Sequence, residues 1–372
     1  MAEKKPATIH EERRARAAEL IAAQKLDALY ITNLHNVRYL TGFTGSNGAL
    51  LLFRDARAEF FTDPRYTGQS KQQVVSGNDA SRHCRITIAK GPLAKFALRA
   101  IARGRTRKVG FEQDNLTVAQ FESLAKDLPP RARLEPVTGL VEGLRVIKDE
   151  GEAELIRASV IANSKALEAA LRRFKPGMRE SDLAAEIDYQ NRRLGAEAPA
   201  FDTIVAAGER SALPHAHPGP AKIGPGILLI DMGAFREGYA SDMTRMVHVG
   251  PAPAKYREAY NAVLEAQLAA IAAVKPGATT ASVDRAARST LRRHGLDRAF
   301  VHSTGHGLGL EIHEAPRIGR NDKTRLEPGM AITIEPGVYL PDWGGIRIED
   351  TVLVTPTGCE ILTPTPKELR EI

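Results

Sequence analysis

A strand buried on both faces has little use for a carboxylate, because Asp and Glu are almost never fully buried without a partner. This chain nevertheless ends one apolar run, Gly226-Ile-Leu-Leu-Ile-Asp231, on an aspartate and another, Ala331-Ile-Thr-Ile-Glu335, on a glutamate. Each is followed by a turn and a second acidic strand start, Ser241-Asp-Met-Thr244 and Ile348-Glu-Asp-Thr351. What precedes them matches as well. Lys175-Pro-Gly177 recurs as Lys275-Pro-Gly277. Each copy follows a long Ala/Leu-rich helical stretch and precedes a second helix, 181–194 and 281–294, closing on Arg192-Arg-Leu-Gly195 and Arg292-Arg-His-Gly295. Four features matching in order predict two pseudo-symmetric αα-ββ halves. Two copies are too few for a stacked repeat, which needs at least about three.

Hairpin geometry indicates where the carboxylates point, because side chains alternate faces along a strand. With Glu237-Gly238 as the first turn, Asp242 lies opposite Gly233, on the face of Asp231. With the second turn over 341–345, Glu349 lies opposite Gly337, on the face of Glu335. Each hairpin then aims two carboxylates at one face, and the glycines between them leave room for an ion. Four facing carboxylates repel unless some are protonated or divalent cations sit between them. Exposed strand-end carboxylates tied to Arg245 and Arg347 would account for one such hairpin, but poorly for two. The segment 301–317 adds three of the ten histidines, His302, His306 and His313. Gly305, Gly307 and Gly309 argue against a helix there. The HExxH pattern of helical zinc sites is missing. Glycines beside His306 let the backbone approach a metal closely. One nitrogen among oxygen ligands suits Mn²⁺, Co²⁺ or Zn²⁺. His10, His35 and His83 read as structural. His215, in Leu213-Pro-His-Ala-His-Pro-Gly219, reads equally as a surface-loop residue or a site residue.

The length, 372 residues, suggests two domains. Helical spacing over 12–24, the runs Ala28-Leu-Tyr-Ile31, Ala49-Leu-Leu-Leu-Phe53 and Ala58-Glu-Phe-Phe-Thr62, and helical stretches at 92–103 and 117–126 predict an α/β first domain. Its boundary falls near 145, giving domains 1–145 and 146–372. The formal net charge is +7, but the basic residues are scattered apart from Arg13, Arg14 and Arg16, and Arg103 to Lys108. That pattern favours a solvated surface over a nucleic-acid groove. Two cysteines, Cys84 and Cys359, make no disulfide framework. No secretory signal is visible in the opening residues and no apolar run of ~18 residues occurs, so a cytoplasmic protein without membrane or nucleic-acid partners is expected.

Asp231, Asp242, His306, Glu335 and Glu349 match, in order and context, the five metal ligands of the pita-bread metallopeptidases. This family includes methionine aminopeptidase, aminopeptidase P and prolidase. Leu213-Pro-His215, the run Gly305-His-Gly-Leu-Gly-Leu-Glu-Ile-His-Glu-Ala-Pro316 and Gly344-Gly-Ile-Arg-Ile-Glu-Asp350 resemble its proline branch. The likeness covers essentially all of 151–372, with no ligand position substituted. The first domain resembles the creatinase-like N-terminal domain of aminopeptidase P and prolidase through Asn36-Val-Arg-Tyr-Leu-Thr-Gly-Phe43 and Phe61-Thr-Asp-Pro-Arg-Tyr66. Simple methionine aminopeptidases lack that domain.

The resemblance implies an α/β creatinase-like domain followed by an α+β pita-bread domain with a pseudo-two-fold repeat. It also implies a dinuclear exopeptidase acting on the Xaa-Pro bond, with Mn²⁺ favoured over Co²⁺ or Zn²⁺. Asp242 and Glu349 would bridge the metals, Asp231 would complete one site, and His306 with Glu335 the other. Glu335 would accept the proton of the attacking water. His302 and His313 would steady the oxyanion and the substrate carbonyl, and His215 would sit near the proline ring. Arg347 would orient the bridging Glu349, with Tyr339 hydrogen-bonding nearby. A homodimer is implied. Substrate length stays open. Arg317 matches an arginine that takes the free carboxylate of dipeptides in short microbial prolidases, whereas Leu40-Thr-Gly-Phe-Thr-Gly-Ser-Asn-Gly48 points to aminopeptidase P. The alternative from another class is a non-catalytic protein using the same fold to bind RNA or protein, against which the complete ligand set argues.

Overall fold

The computed structural model describes residues 7–74 and 84–372, so His83 lies outside the described residues. The chain divides into two units, Met1–Arg145 and Val146–Ile372.

In the first unit a six-stranded mixed sheet runs Cys84–Ile88, Ala58–Thr62, Gly48–Phe53, Ala28–Ile31, Lys108–Glu112, Arg133–Val137. Its apolar strands have no polar alternation because helices cover them. Tyr30, Leu51, Phe61 and Val109 pack with Ala97 and Ile101 of the helix Leu93–Arg103. A helix that the spacing did not predict spans Leu34–Thr41, starting on the Asn33 cap and ending at Gly42 with φ +79°. It is short and has no long apolar period, so its caps are its main sequence signal.

The second unit carries the repeat. Asp149 and Glu152 form a capping box that starts the helix Glu150–Leu171. The chain then turns at Gly177 (φ +88°), whose N–H donates to the Ile223 carbonyl at 2.8 Å, and enters the helix Glu180–Arg193. The second copy repeats this with Ala254–Ala272, then Gly277 (φ +80°) donating to the Leu326 carbonyl at 2.8 Å, then Thr280–Arg293. The two Lys-Pro-Gly motifs are conformational requirements, since a side chain at that φ is strained.

The helix pairs back two antiparallel hairpins. In the first, Gly226–Met232 pairs with Met243–Val249 around a two-residue turn in which Glu237 (φ +50°) and Gly238 (φ +79°) are both left-handed. Met232 faces Met243 and Phe235 faces Ala240, so the register carried through the gap sets Gly233 against Asp242. The second hairpin differs from the expectation. Its turn is confined to 341–343, because Asp342 takes φ +63° and Gly344 already begins the return strand. Gly337 therefore faces Arg347 rather than Glu349, and Ile334 faces Asp350. Glu335 and Glu349 stand directly across from each other. A register change of two keeps every side chain on its face, so the convergence survives. Beneath the hairpins, Leu183, Ile187, Leu228, Ile230 and Val247 form one core cluster, and Val283, Leu291, Ile332, Ile334 and Val352 belong to another. Each such side chain contributes roughly 1.5–3 kcal/mol on burial, which fixes the carboxylate-bearing strands on a rigid base.

Candidate metal centre

Ligating atoms of Asp242, His306 and Glu349 all lie within 4.8 Å of one another. His306 sits on the short strand Gly305–Gly307, between Glu314–Ile318 and Ala331–Ile334. Its flanking glycines serve the sheet rather than a metal. A Cβ on Gly305 would stand 1.9 Å from the Thr333 carbonyl oxygen, and one on Gly307 would stand 2.2 Å from that of Ala315. The imidazole Nδ1 is 3.0 Å from the Gly307 carbonyl, so this nitrogen carries the proton and Nε2 presents its lone pair. Nε2 lies 3.5 Å from Asp242 Oδ2 and 3.5 Å from Glu335 Oε1. Burial holds the ring's pKa below its ordinary value, keeping it neutral, as ligation requires.

The carboxylates are crowded and dry. Burial first, and then Asp231 and Glu335, raise the pKa of Asp242 well above the usual range. Burial, followed by Asp242 and Glu335, does the same to Glu349. Burial pushes Glu335 up to about 7 against the opposing pull of Arg347. Asp231 Oδ1 is buried and has no hydrogen-bond partner among the described residues. An orphaned carboxylate oxygen, a neutral imidazole with its lone pair turned inward and three further acidic side chains form a donor set that fits divalent cations. The fit rests on the ligands themselves, because the space over the two intervening glycines is taken. The Phe201 ring comes within 2.6 Å of a Cβ placed on Gly233, and the Tyr339 hydroxyl within 2.7 Å of one on Gly337.

Arg347 has a different partner from the expected one. Its Nη2 donates to Asp231 Oδ2 at 2.6 Å and its Nη1 to the Tyr339 hydroxyl at 2.6 Å, while Nε donates to Thr244 Oγ1 at 3.1 Å. It reaches Glu349 only through Thr244, whose hydroxyl donates to Glu349 Oε2 at 2.7 Å. The reason is face geometry: Arg347 projects over the hairpin of the other half, where Asp231 lies. The role of Thr244 is hardly legible in the sequence. Its one signal was the recurrence of Thr two residues after each acidic residue, as Asp242-Met-Thr244 and Glu349-Asp-Thr351. Thr351 Oγ1 in turn donates to the Asp242 carbonyl at 3.0 Å, so the two halves are stitched together in both directions. Asp350 points away from the centre, to Arg245 at 2.8 Å and Gln267 at 2.8 Å.

His302 is also placed differently from the role implied for it. Its Nδ1 is 2.7 Å from the Ser303 carbonyl and its Nε2 2.9 Å from the Tyr339 hydroxyl. Both nitrogens are occupied, so no N–H is turned to an oxyanion. Burial, reinforced by Arg347, pulls its pKa down to about 4. Tyr339 is buried and bridges Arg347 and His302 behind the centre. Above it lies a cavity of about 490 Å³ lined by the five acidic and histidine ligand candidates, by His215, His302, His313, Arg317 and Arg347, and by an apolar side made of Phe201, Ile204 and Pro214. The apolar side was not legible in the sequence. His313 is exposed on the wall with its ring 4.4 Å from that of His306.

Residues 154–356 match metallopeptidase family M24, and residues 13–147 match the creatinase/prolidase N-terminal domain. The chain belongs to metallopeptidase family M24. This M24 metallopeptidase is 36% identical to the Xaa-Pro dipeptidase of Pyrococcus furiosus over 96% of its own length and 99% of the relative's. It superposes on the Xaa-Pro dipeptidase from Bacillus anthracis with a TM-score of 0.93 at 38% identity, covering 98% of this chain and 100% of that one. The X-Pro aminopeptidase from Thermotoga maritima gives 0.87 at 33% identity over 96% and 100%. The fold is therefore the creatinase-type domain followed by the pita-bread domain, and membership in a metallopeptidase family implies divalent metal at the centre just described.

Proposed function

We propose that the enzyme hydrolyses the peptide bond preceding proline. The observation that carries this is the cavity: its floor is the ligand cluster, and Phe201, Ile204 and Pro214 offer an apolar side to a ring that brings no N–H needing a partner. The names of the relatives point the same way. Asp242 and Glu349 would hold both of two cations, Asp231 one of them, and His306 with Glu335 the other. Cations held there would polarise the scissile carbonyl and supply a nucleophile near neutral pH. Mn²⁺ suits four carboxylates and one imidazole. Glu335 accepts the proton of the attacking water. His313, free on the wall, donates to the carbonyl oxygen, and His215 borders the proline ring. Arg347 fixes Asp231 directly and holds the His215 loop through the Pro214 carbonyl at 3.3 Å. Arg317 takes the carboxylate of a free proline leaving group, which favours Xaa-Pro dipeptides.

A cytosolic homodimer completes the proposal. Among the described residues no helix is long and apolar enough to cross a membrane. Light scattering that gives the mass of one chain at micromolar concentration would rule out the dimer. Hydrolysis of Ala-Pro and Ala-Pro-Ala, with Mn²⁺ and after chelation, tests the activity. Cleavage of Ala-Ala as fast as Ala-Pro would refute the proline reading.

A further inference from the structure

A second cavity, of about 600 Å³, adjoins the first and shares His302, Ser303 and Arg317 with it. Arg317 thus stands at a junction rather than at a closed end. Beyond it the walls are basic. Arg298, on the short turn Asp297–Ala299, and Arg320, just past Gly319, are both exposed and line this space. Neither has an ion pair among the described residues, and Asp297 is taken by Arg292 at 3.1 Å. A fourth lining arginine, Arg288, is already neutralised by Asp284 at 2.8 Å and donates to the Phe300 carbonyl at 2.9 Å. The single carboxylate in the lining, Asp322, is occupied by the Thr324 N–H at 2.8 Å and the Thr280 hydroxyl at 3.1 Å. Both bonds fall on Oδ1, and the Asp322 charge is felt by Arg317, so the lining sets three exposed guanidiniums, Arg298, Arg317 and Arg320, against one carboxylate.

We infer that this second cavity receives the part of a peptide that continues beyond proline, and that Arg298 and Arg320 select an acidic third residue. The inference rests on the Xaa-Pro reading of the first cavity. One residue of extended chain adds about 3.5 Å, so the residue after proline passes Arg317 and enters the basic space. A dipeptide ends at Arg317 and never reaches it. Arg298 and Arg320 thus act on the choice among longer substrates, not on the chemistry.

The test compares kcat/KM for Ala-Pro, Ala-Pro-Glu and Ala-Pro-Lys in the Mn²⁺-loaded protein with the same values in an R298E/R320E variant. Calorimetry of Pro-Glu and Pro-Lys, the corresponding leaving fragments, gives a readout that needs no turnover. Each exposed charge pair is worth roughly two- to fivefold, so Ala-Pro-Glu should exceed Ala-Pro-Lys by about tenfold in the wild type, and the variant should erase or invert the order. Ala-Pro itself should change by less than about twofold, and the preference should fade at about 0.5 M salt as screening sets in. Ala-Pro cleavage with equal rates for both tripeptides, or a preference that survives in the variant, would overturn the inference while leaving the Xaa-Pro reading intact. Failure to cleave any of the three would sink that reading, and the binding of Pro-Glu against Pro-Lys would still decide the basic cavity. Equal binding of the two fragments overturns it.

Discussion

Replacing Thr244 by valine should weaken the centre without touching any proposed ligand. Thr244 is fully buried, and valine is close in shape and keeps the strand's β-branched character. The change deletes one hydroxyl, which donates to Glu349 Oε2 at 2.7 Å and accepts from Arg347 Nε at 3.1 Å. Each bond has a charged partner, and such bonds are worth roughly 1.5–3 kcal/mol, so the pair sets a ceiling of about 6 kcal/mol. Two effects lower it. Glu349 is already raised well above the usual carboxylate range and escapes part of the penalty by protonating, and Arg347 keeps Asp231 and Tyr339. About 2–4 kcal/mol is expected, read as the shift in urea unfolding of the metal-free protein. Because Glu349 loses the bond that orients it, Mn²⁺ affinity by calorimetry should fall about 10- to 100-fold. Thr244→Ser keeps the hydroxyl and should recover most of the affinity. A valine variant within about 0.5 kcal/mol of wild type with unaltered metal binding would refute the coupling, as would a serine variant no better than valine.

Chelation should lower the melting temperature, and Mn²⁺ at about 100 times its Kd should restore about 2.7 kcal/mol of stability. Asp242→Ala should abolish that restoration, which a metal-dependent thermal melt reads directly. Gly305→Ala drives a methyl to 1.9 Å from the Thr333 carbonyl oxygen, forcing the His306 strand off its neighbour. A loss of about 3 kcal/mol or more is expected, together with loss of metal binding, and a variant of wild-type stability would show that the strands can part without cost. Because the folded-state pKa of His302 lies near 4 and its unfolded value near 6.5, the unfolded chain binds more protons between those values. His302's own contribution to stability should therefore fall as pH drops from about 6.5 to 4, by about 3 kcal/mol, while Glu335, raised to about 7 in the folded state, contributes in the opposite direction over the same window. Urea titrations of the metal-free protein at several pH values should show the stability of wild type relative to His302→Gln falling by about 3 kcal/mol between about pH 6.5 and 4, and a difference that does not change with pH would refute this.

The repeat was the most legible part of this molecule, because its glycines at 177 and 277 are backbone requirements and its carboxylates break the strand pattern. The spacing located the convergent face through the alternation of strands, even though the second turn proved two residues shorter than assumed. Neighbours from distant sequence were not legible. Phe201 against Gly233, the Pro214 carbonyl on Arg347 and the path from Arg347 through Thr244 to Glu349 all join segments that only tertiary packing brings together. The glycines around His306 show the same limit from the other side. Their presence was informative, but the atoms that demand it belong to adjacent strands, so a local reading assigned them to the wrong cause.

The two halves share a backbone plan but not a chemistry. In one copy the threonine hydroxyl touches a carboxylate, and in the other it touches a main-chain oxygen. The imidazole comes from one copy alone, and the arginine of that copy is spent on the aspartate of the other. A peptide has a direction. A centre with full two-fold symmetry would accept it equally well in both orientations. The divergence between the copies supplies polarity, so the fold's near-symmetry builds the floor of the site and its broken symmetry tells the substrate which way to lie.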